Sequence, residues 1–508
     1  MNFLHITDLH NGTVQVSWQY GNAVPRPYPK PVPITDPLTP EDREELRWYL
    51  ERYLSFPYGA ERRRAEQVEK KMALWGEALF KQTFIKGEED PDPRAFYQEA
   101  VRQGLEQCEL CISSEDPAFL NLPWELLRDP TPGRGYLALS LAGLFRQRSG
   151  QKVEMRAEAV SQGPFRILLV ITRPYAPRDI PLSTIARPVL EAVRPLWPQV
   201  QIEVLRPPTF SALVKRLNEK RGYYQMVHFD GHGVFAGAGN GRVPQFGAEA
   251  GRGHLVFEQE NGEPHVVNSR DLGQALATCG IPLFVLNACQ SAEEGTEDPF
   301  SSVASQLIAV GAKGVVAMSY SVYATSASLF MQRFYERLIG HVSLSEAVAA
   351  GRQELHTTPQ RRSVIGPLEL RDWMVPTLYQ QEVSYIPIPP AIKAGAEGEP
   401  AQEAPVQHEA LEKLCPEGRF GFVGRDYDLL RIERMLRDPA APWVLLTGIG
   451  GTGKTQLAYG FARWYTETGG CPGGVFATSF KEKAGIGQVI GSIRSEERRV
   501  GKECRSRW

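Results

Sequence analysis

The apolar positions of this chain change period several times, and each change marks an element. Near the start Val14, Val16 and Trp18 alternate with polar residues, the period-two pattern of a half-buried strand. The proline-rich stretch from Pro25 to Pro37 predicts an extended connector, since proline neither continues a helix nor sits in a central strand. From Pro40 to about Gln103 the period lengthens to that of a helix, with Leu46, Tyr49, Leu50 and Tyr53 on one face of PEDREELRWYLERYL. Glu109 to Ile112 predicts a short strand. NLPWELLRDP (Asn121 to Pro130) and YLALSLAGLFRQ close this N-terminal section.

Beyond residue 164, short apolar runs alternate with helical stretches. FRILLVIT (Phe165 to Thr172), QIEVL (Gln201 to Leu205), YYQMVHF (Tyr223 to Phe229), IPLFVLN (Ile281 to Asn287) and GVVAMS have the length and composition of strands, buried parallel ones in the case of FRILLVIT and IPLFVLN. Helices are expected near Ala186 to Leu196, over PTFSALVKRLNE, from a Ser269 cap to Ala277, over Val303 to Val310 and after Thr325. Ser343 with Glu346 matches a capping box opening one more. HLVFEQENGEPHVV carries Asn261-Gly262, a hairpin signal. The alternation predicts an α/β sandwich with a mostly parallel sheet. Residues 386–418, rich in Pro, Ala, Gly and Glu, read as a linker, after which a second α/β unit begins.

Composition narrows the class. With 508 residues, 42% hydrophobic and 23% charged, the chain is expected to be soluble and to hold two or three domains. A net charge of −2 gives no electrostatic case for nucleic acid or an anionic membrane as partner. The start, MNFLHITDLHNGTVQ, lacks the basic flank and apolar run of a signal peptide, so the expected location is cytoplasmic. Seven cysteines in so long a chain do not form a disulfide framework. Cys108 and Cys111 make a lone C-x-x-C, read as two small buried residues rather than a metal site. The last stretch, RSEERRVGKECRSRW (Arg494 to Trp508), looks like a translated sequencing adapter and is set aside, which would make the chain a fragment cut soon after residue 493.

Two sites fall where strands should end. MVHF runs into Asp230-Gly231-His232-Gly233, and LFVLN runs into Ala288-Cys289-Gln290-Ser291. Ligands of open α/β sheets bind beyond the carboxyl ends of strands, so neighbouring strands would bring imidazole and thiol together. A thiol with an ordinary pKa of about 8.5 is mostly protonated at neutral pH and needs a base or cation beside it. His232 is suited to that role or to protonating a leaving amine, and the N–H groups of Gly233 and Cys289 are candidates for an oxyanion hole. His228 reads as structural; His254 and His265, in the hairpin, are weaker candidates. Acidic residues near these loops (Asp230, Glu293, Glu294, Asp298) favour a basic P1 side chain in a substrate.

LPWELLRDP, ILLVITRP, HFDGHG, LNACQSA and DWMVPTLY, spread over about residues 85 to 385, together resemble the CHAT family, caspase-HetF-associated peptidases of clan CD. The cysteine follows the histidine by 57 positions, close to the caspase spacing of about 50. The resemblance implies a caspase-like three-layer sandwich with His232 and Cys289 as the catalytic pair. Members commonly place a glycine soon after A-C-Q-S; here the next one is Gly295.

PWVLLTGIGGTGKT (Pro442 to Thr455) reads as strand, glycine-rich turn and helix start, and Gly448, Gly453, Lys454 and Thr455 fit the phosphate-loop pattern. Gly450 and Gly451 lie in the same turn, Lys454 would reach the β/γ-phosphates, and Thr455 would hold Mg²⁺. The preceding GFVGRDYDLLRIERML resembles the segment ahead of the phosphate loop in STAND ATPases of the NB-ARC kind, which implies that Val423, Gly424 and Arg425 line the base. ATP and Mg²⁺ are therefore expected cofactors of an intact nucleotide-binding module, and none is expected for the peptidase.

The expected order is an N-terminal strand, connector and helices (1–84), a caspase-like domain (85–385), a linker (386–418), a truncated P-loop NTPase (419–493) and the set-aside tail (494–508). The expected function is a cysteine endopeptidase acting on protein substrates, switched by nucleotide-driven homo-oligomerisation. The alternative is a non-enzymatic adaptor in which the caspase-like fold only binds partners.

Overall fold

The computed structural model describes residues 1–85, 93–150, 164–196, 199–236, 252–277, 279–288, 299–320, 322–389, 422, 424–438, 440, 443–471, 475, 487 and 490. Cys289, Glu293, Glu294, Asp298, Val423, Arg494 to Trp508 and most of the expected linker lie outside them. Two compact units divide the chain, Met1–Gly398 and Glu399–Trp508.

One mixed sheet runs through the first unit. Its longer strands are β1 (Asn2–Asp8), β2 (Thr13–Tyr20), β3 (Cys108–Ser114), β4 (Gly143–Arg148), β5 (Phe165–Ile171), β6 (Val200–Val204), β7 (Met226–Ala236), β8 (Arg252–Glu258), β9 (Pro264–Asn268), β10 (Leu283–Ala288), β11 (Gly314–Met318) and β12 (Pro376–Gln380), and two-residue pieces at Arg26–Pro27 and Val32–Pro33 pair with β2. The main path is β6-β5-β7-β10-β11-β12-β4-β3-β1-β2, with β8 and β9 hanging from β7. The first five strands of that path are mutually parallel. β12 pairs antiparallel to β11 and parallel to β4, and β4, β3 and β1 continue in that reversed direction. The carboxyl ends of β5, β7, β10 and β11 therefore share one sheet edge, and those of β1, β3 and β4 lie at the other.

The helices are α1 (Pro40–Glu51), α2 (Ala60–Phe84), α3 (Arg94–Gln103), α4 (Ser183–Val193), α5 (Phe210–Glu219), α6 (Ser269–Ala277), α7 (Pro299–Ala309), α8 (Ala324–Ile339) and α9 (Leu344–Thr357). The chain goes one way along the sheet from β5 to β6 and back the other way to β7. Right-handed crossovers then put α4 and α5 on opposite faces. α4, α8 and α9 form one helical layer, and α5, α6 and α7 the other. Leu46, Tyr49, Leu50 and Tyr53 are all buried, as their spacing requires.

Several local expectations need correction. The apolar start, Phe3, Leu4 and Ile6, forms β1 between β2 and β3, so residues 1–84 and the segment after them share one sheet. Asn268 caps α6, accepting from Asp271 N at 2.8 Å, and Ser269 is already helical. Ser343 does cap α9 through Glu346 N at 3.2 Å, but the Glu346 side chain turns away to Arg337, leaving the box half formed. Cys108 and Cys111 sit three apart on a strand and so face opposite sides of the sheet. Both are buried, and burial pushes the Cys108 thiol up to about 11, the chemistry of core residues. Among the described residues no cluster of metal-ligating side chains occurs, and no helix is long and apolar enough to cross a membrane.

The LPWELLRDP motif ties β4 to α9 and β12 within the reversed block. Glu125 is buried between Arg146 of β4, bound at 2.5 and 2.7 Å, and Arg352 of α9 at 2.9 Å. Arg352 in turn donates to Pro376 O at the start of β12. Late in the chain Asp372 is gripped by Arg361 through both carboxylate oxygens, at 2.9 and 2.7 Å.

The second unit is described in part. Two helices, α10 (Asp426–Leu436) and α11 (Lys454–Glu467), pack together, with Trp464 Nε1 donating to Glu433 at 3.4 Å. Residues 443–447, where a strand is expected before the glycine-rich turn, pair with no strand among the described residues. Trp443 and Leu445 are exposed there. A phosphate-loop strand is held by parallel neighbours, and none is described beside this one.

Candidate active site

β7 is the strand on which the site is built. Its register sets Asp230 beside Asn287 and Gly231 beside Ala288 of β10, with Ile171 of β5 opposite Asp230 on the other flank. The two motif-bearing strands are thus neighbours, and β10 ends where the chain enters Ala288-Cys289. The Asp230-Gly231-His232-Gly233 segment is not a turn. It stays extended, leaves the sheet and pairs antiparallel with β8, placing His232 opposite Val256 and Gly233 opposite Leu255.

Gly231 occupies the crossing point. A Cβ there would stand 2.1 Å from Thr172 Oγ1, so only glycine fits. Thr172 Oγ1 needs that space because it donates to Val256 O at 2.9 Å, stapling the end of β5 to β8. The hairpin that continues from β8 to β9 turns at residues 259–263, with Gly262 at φ +83° and Asn261 accepting from Glu263 N. Asn-Gly therefore marks the turn, in a loop longer than two residues.

His232 is buried, and its Nε2 lies 2.5 Å from Asp179 Oδ1. The Asp179 carboxylate also accepts from Tyr175 N at 2.9 Å, and the Tyr175 ring meets the imidazole edge-on at 5.1 Å. No period or motif singled out Asp179; only its place in the loop after β5, at the edge where strands end, hints at it.

Beneath the histidine, Arg173 and Asp230 form a buried ion pair at 2.5 Å. Burial pushes the Asp230 carboxyl above its ordinary value, against the opposing pull of Arg173. Asn287 Nδ2 reaches the other carboxylate oxygen at 3.4 Å. Asp230 is therefore consumed internally and does not contribute to an acidic rim, which removes one of the four residues that favoured a basic P1 side chain. The other three lie outside the described residues, as does Cys289.

His228 is fully buried, hydrogen-bonded to Tyr335 Oη at 2.9 Å, and burial pushes its imidazole down to about 3, in keeping with a structural role. His254 is buried on β8 and His265 is exposed on β9.

In the second unit Gly448, Gly451 and Gly453 all have positive φ, and α11 opens at Lys454. The Lys454 ammonium lies across the loop, 2.8 Å from the carbonyls of Gly448 and Ile449. Gly450 has open space around it, and Thr455 sits exposed in the first helical turn. Arg425 reaches the same loop, donating to Thr452 O at 2.6 Å, while Gly424 precedes it at φ +77°. A cation above a glycine loop at a helix N-terminus is a donor set that suits an anionic phosphate chain.

Comparison with known proteins adds a family. The CHAT domain model matches residues 91–405. No curated protein matches the sequence. Solved structures that match include the complex of Porphyromonas gingivalis RgpB pro- and mature domains, at 8% identity over 57% of this chain and 68% of that chain, TM-score 0.35. The Arg specific cysteine proteinase gingipain R is matched at 9% identity over 57% of this chain and 66% of that one, TM-score 0.34. The Saccharomyces cerevisiae separase–securin complex is matched at 11% identity over 76% of this chain, TM-score 0.37, and the match spans only 30% of that chain.

Proposed function

The chain belongs to the CHAT domain family, and from that membership we propose that it is a cysteine endopeptidase using a Cys289–His232 pair. The observation that carries the reading is the register of β7 and β10, which sets Gly231 beside Ala288, so that the histidine strand leaves the sheet beside the strand leading to the cysteine. In the proposed reaction the Cys289 thiolate attacks the scissile carbonyl. The carbonyl oxygen gathers charge at the N–H groups of Gly233 and Cys289. His232 gives a proton to the departing amine, leaving a thioester that water, deprotonated by His232, then hydrolyses.

The substrate in this reading is a protein, met in the cytoplasm. Control would come from an ATP-binding STAND module in which Lys454, Thr455 and the amides of Gly448, Gly450, Gly451 and Gly453 hold the phosphates. Val423, Gly424 and Arg425 would hold the base, and Thr455 the Mg²⁺. Bound ATP would supply the differential contacts that favour an oligomerising conformation.

The test is cleavage of fluorogenic peptides carrying Arg, Lys, Asp or Asn at P1, by the full chain and by Cys289→Ala. Cleavage abolished by the substitution supports the peptidase and identifies P1. No cleavage by either, together with a Cys289 thiol inert to a chloromethylketone, would sink the reading in favour of an adaptor.

A further inference from the structure

The contact between Asp179 and His232 is shielded: their side chains are 3% and 9% exposed, so solvent screens it far less than a surface pair. The carboxylate is itself held, by Tyr175 N on its other oxygen. The loop that carries it is pinned by one cation. Arg173 Nε donates to Ile180 O at 3.0 Å, immediately after Asp179, while Nη1 donates to Thr172 O at 2.8 Å and to Asp230 O at 3.0 Å. Nη2 completes the set on the Asp230 carboxylate. Asp230 lies two residues before His232 on β7, so a single buried guanidinium grips both the strand bearing the histidine and the loop bearing its partner. Glu258 of β8 adds a further hold on the start of the loop, accepting the Arg173 backbone N–H at 2.8 Å.

We propose that Asp179 is a positioning residue for His232, presented by a loop that Arg173 clamps to the sheet. Because a carboxylate only accepts, Asp179 fixes the neutral ring as the Nε2–H tautomer and holds its orientation. When the ring takes up a proton from a thiol, the adjacent carboxylate offsets the new positive charge, and the proton then passes to the leaving amine or to bulk water.

The inference rests on the reading of His232 as the acid–base group, and the experiment separates the two. The full chain is labelled with ¹⁵N-histidine, and His232 is assigned by loss of its signal in His232→Gln. At alkaline pH the wild type should show the Nε2–H tautomer, and Asp179→Asn should lose that preference. The other eight of the nine histidines should keep their shifts, which shows that the fold is retained. Asp179→Glu, which keeps the charge, should restore the tautomer. An unchanged His232 spectrum in Asp179→Asn overturns the proposal whether or not any peptide is cleaved. Where peptides are cleaved, kcat should fall at least about tenfold in Asp179→Asn with KM within about threefold, since a displaced tautomer damages proton transfer rather than binding. A fall confined to KM also overturns it.

Discussion

Replacing Glu125 with glutamine tests the buried network that ties β4 to α9 and β12. Glu125 keeps its shape in that change but loses its charge, leaving the guanidinium groups of Arg146 and Arg352, both bound to Oε1, facing each other in the interior. Two cations sharing one acceptor lie about 5 Å apart. At an effective dielectric constant of about 20 their repulsion at about 5 Å is roughly 3 kcal/mol, present in wild type too but no longer offset once the carboxylate charge is gone. Breaking a buried pair by removing one partner typically costs about 3–5 kcal/mol, so the two routes to the magnitude agree. Against a domain stability of about 5–15 kcal/mol this is a large loss. Urea unfolding followed by near-UV circular dichroism reports it, because Trp124 and Trp373 are fully buried nearby in sequence to the network. The midpoint of Glu125→Gln should fall by the equivalent of about 3 kcal/mol or more. Arg352 is the costlier cation to keep, since burial, opposed by Glu125, lowers it to about 10. Adding Arg352→Met to Glu125→Gln should therefore recover at least about half of the loss. A single variant within about 1 kcal/mol of wild type, or a double variant as weak as the sum of the singles, would refute the electrostatic account. The sign with pH follows too. Burial acts to raise the Glu125 carboxyl, but the two arginines outweigh it and hold it below the ordinary range. Its contribution is present above about pH 4.3 and is lost as pH falls through the folded-state value.

Two further outcomes are expected. With its imidazole lowered to about 3, His228 contributes stability that is present above about pH 6.5 and lost on acidification. Wild type should lose about 1.4 kcal/mol per pH unit from this source between about pH 6 and 4, and His228→Leu should lack that slope in urea unfolding measured against pH. Gly231→Ala forces a Cβ to 2.1 Å from Thr172 Oγ1 and should cost about 1–3 kcal/mol of overpacking. Thr172→Ala in the same chain removes the obstructing oxygen and should return part of the melting temperature; no recovery would move the cause to the Phe229 ring, 2.9 Å from the same Cβ.

Elements with a clear period were legible. The alternation at Val14, Val16 and Trp18, the helical face at Leu46, Tyr49, Leu50 and Tyr53, and the five apolar runs that became β5, β6, β7, β10 and β11 all reflect burial that each segment imposes on itself. The start of the chain was not, because His5 and Thr7 interrupt the apolar positions Phe3, Leu4 and Ile6 beside a polar turn. The reading of Asp230-Gly231-His232-Gly233 as a loop failed for a definable reason. Glycine is disfavoured in isolated strands, yet here Gly231 is required by the close approach of Thr172, a contact absent from the local sequence.

By itself the sequence determined the α/β alternation, the membership carried by its motifs, and the two apolar runs that lead towards His232 and Cys289, since these depend on residue types and spacings within short windows. Only the tertiary structure decided that β12 runs antiparallel between two oppositely directed blocks, that Asp230 is spent on Arg173, and that Asp179 rather than a nearer carboxylate meets His232. Those outcomes join residues 53 positions apart at the histidine and 227 apart at Glu125 and Arg352. Local periodicity reports which face of an element is buried. What it is buried against is settled when the elements pack.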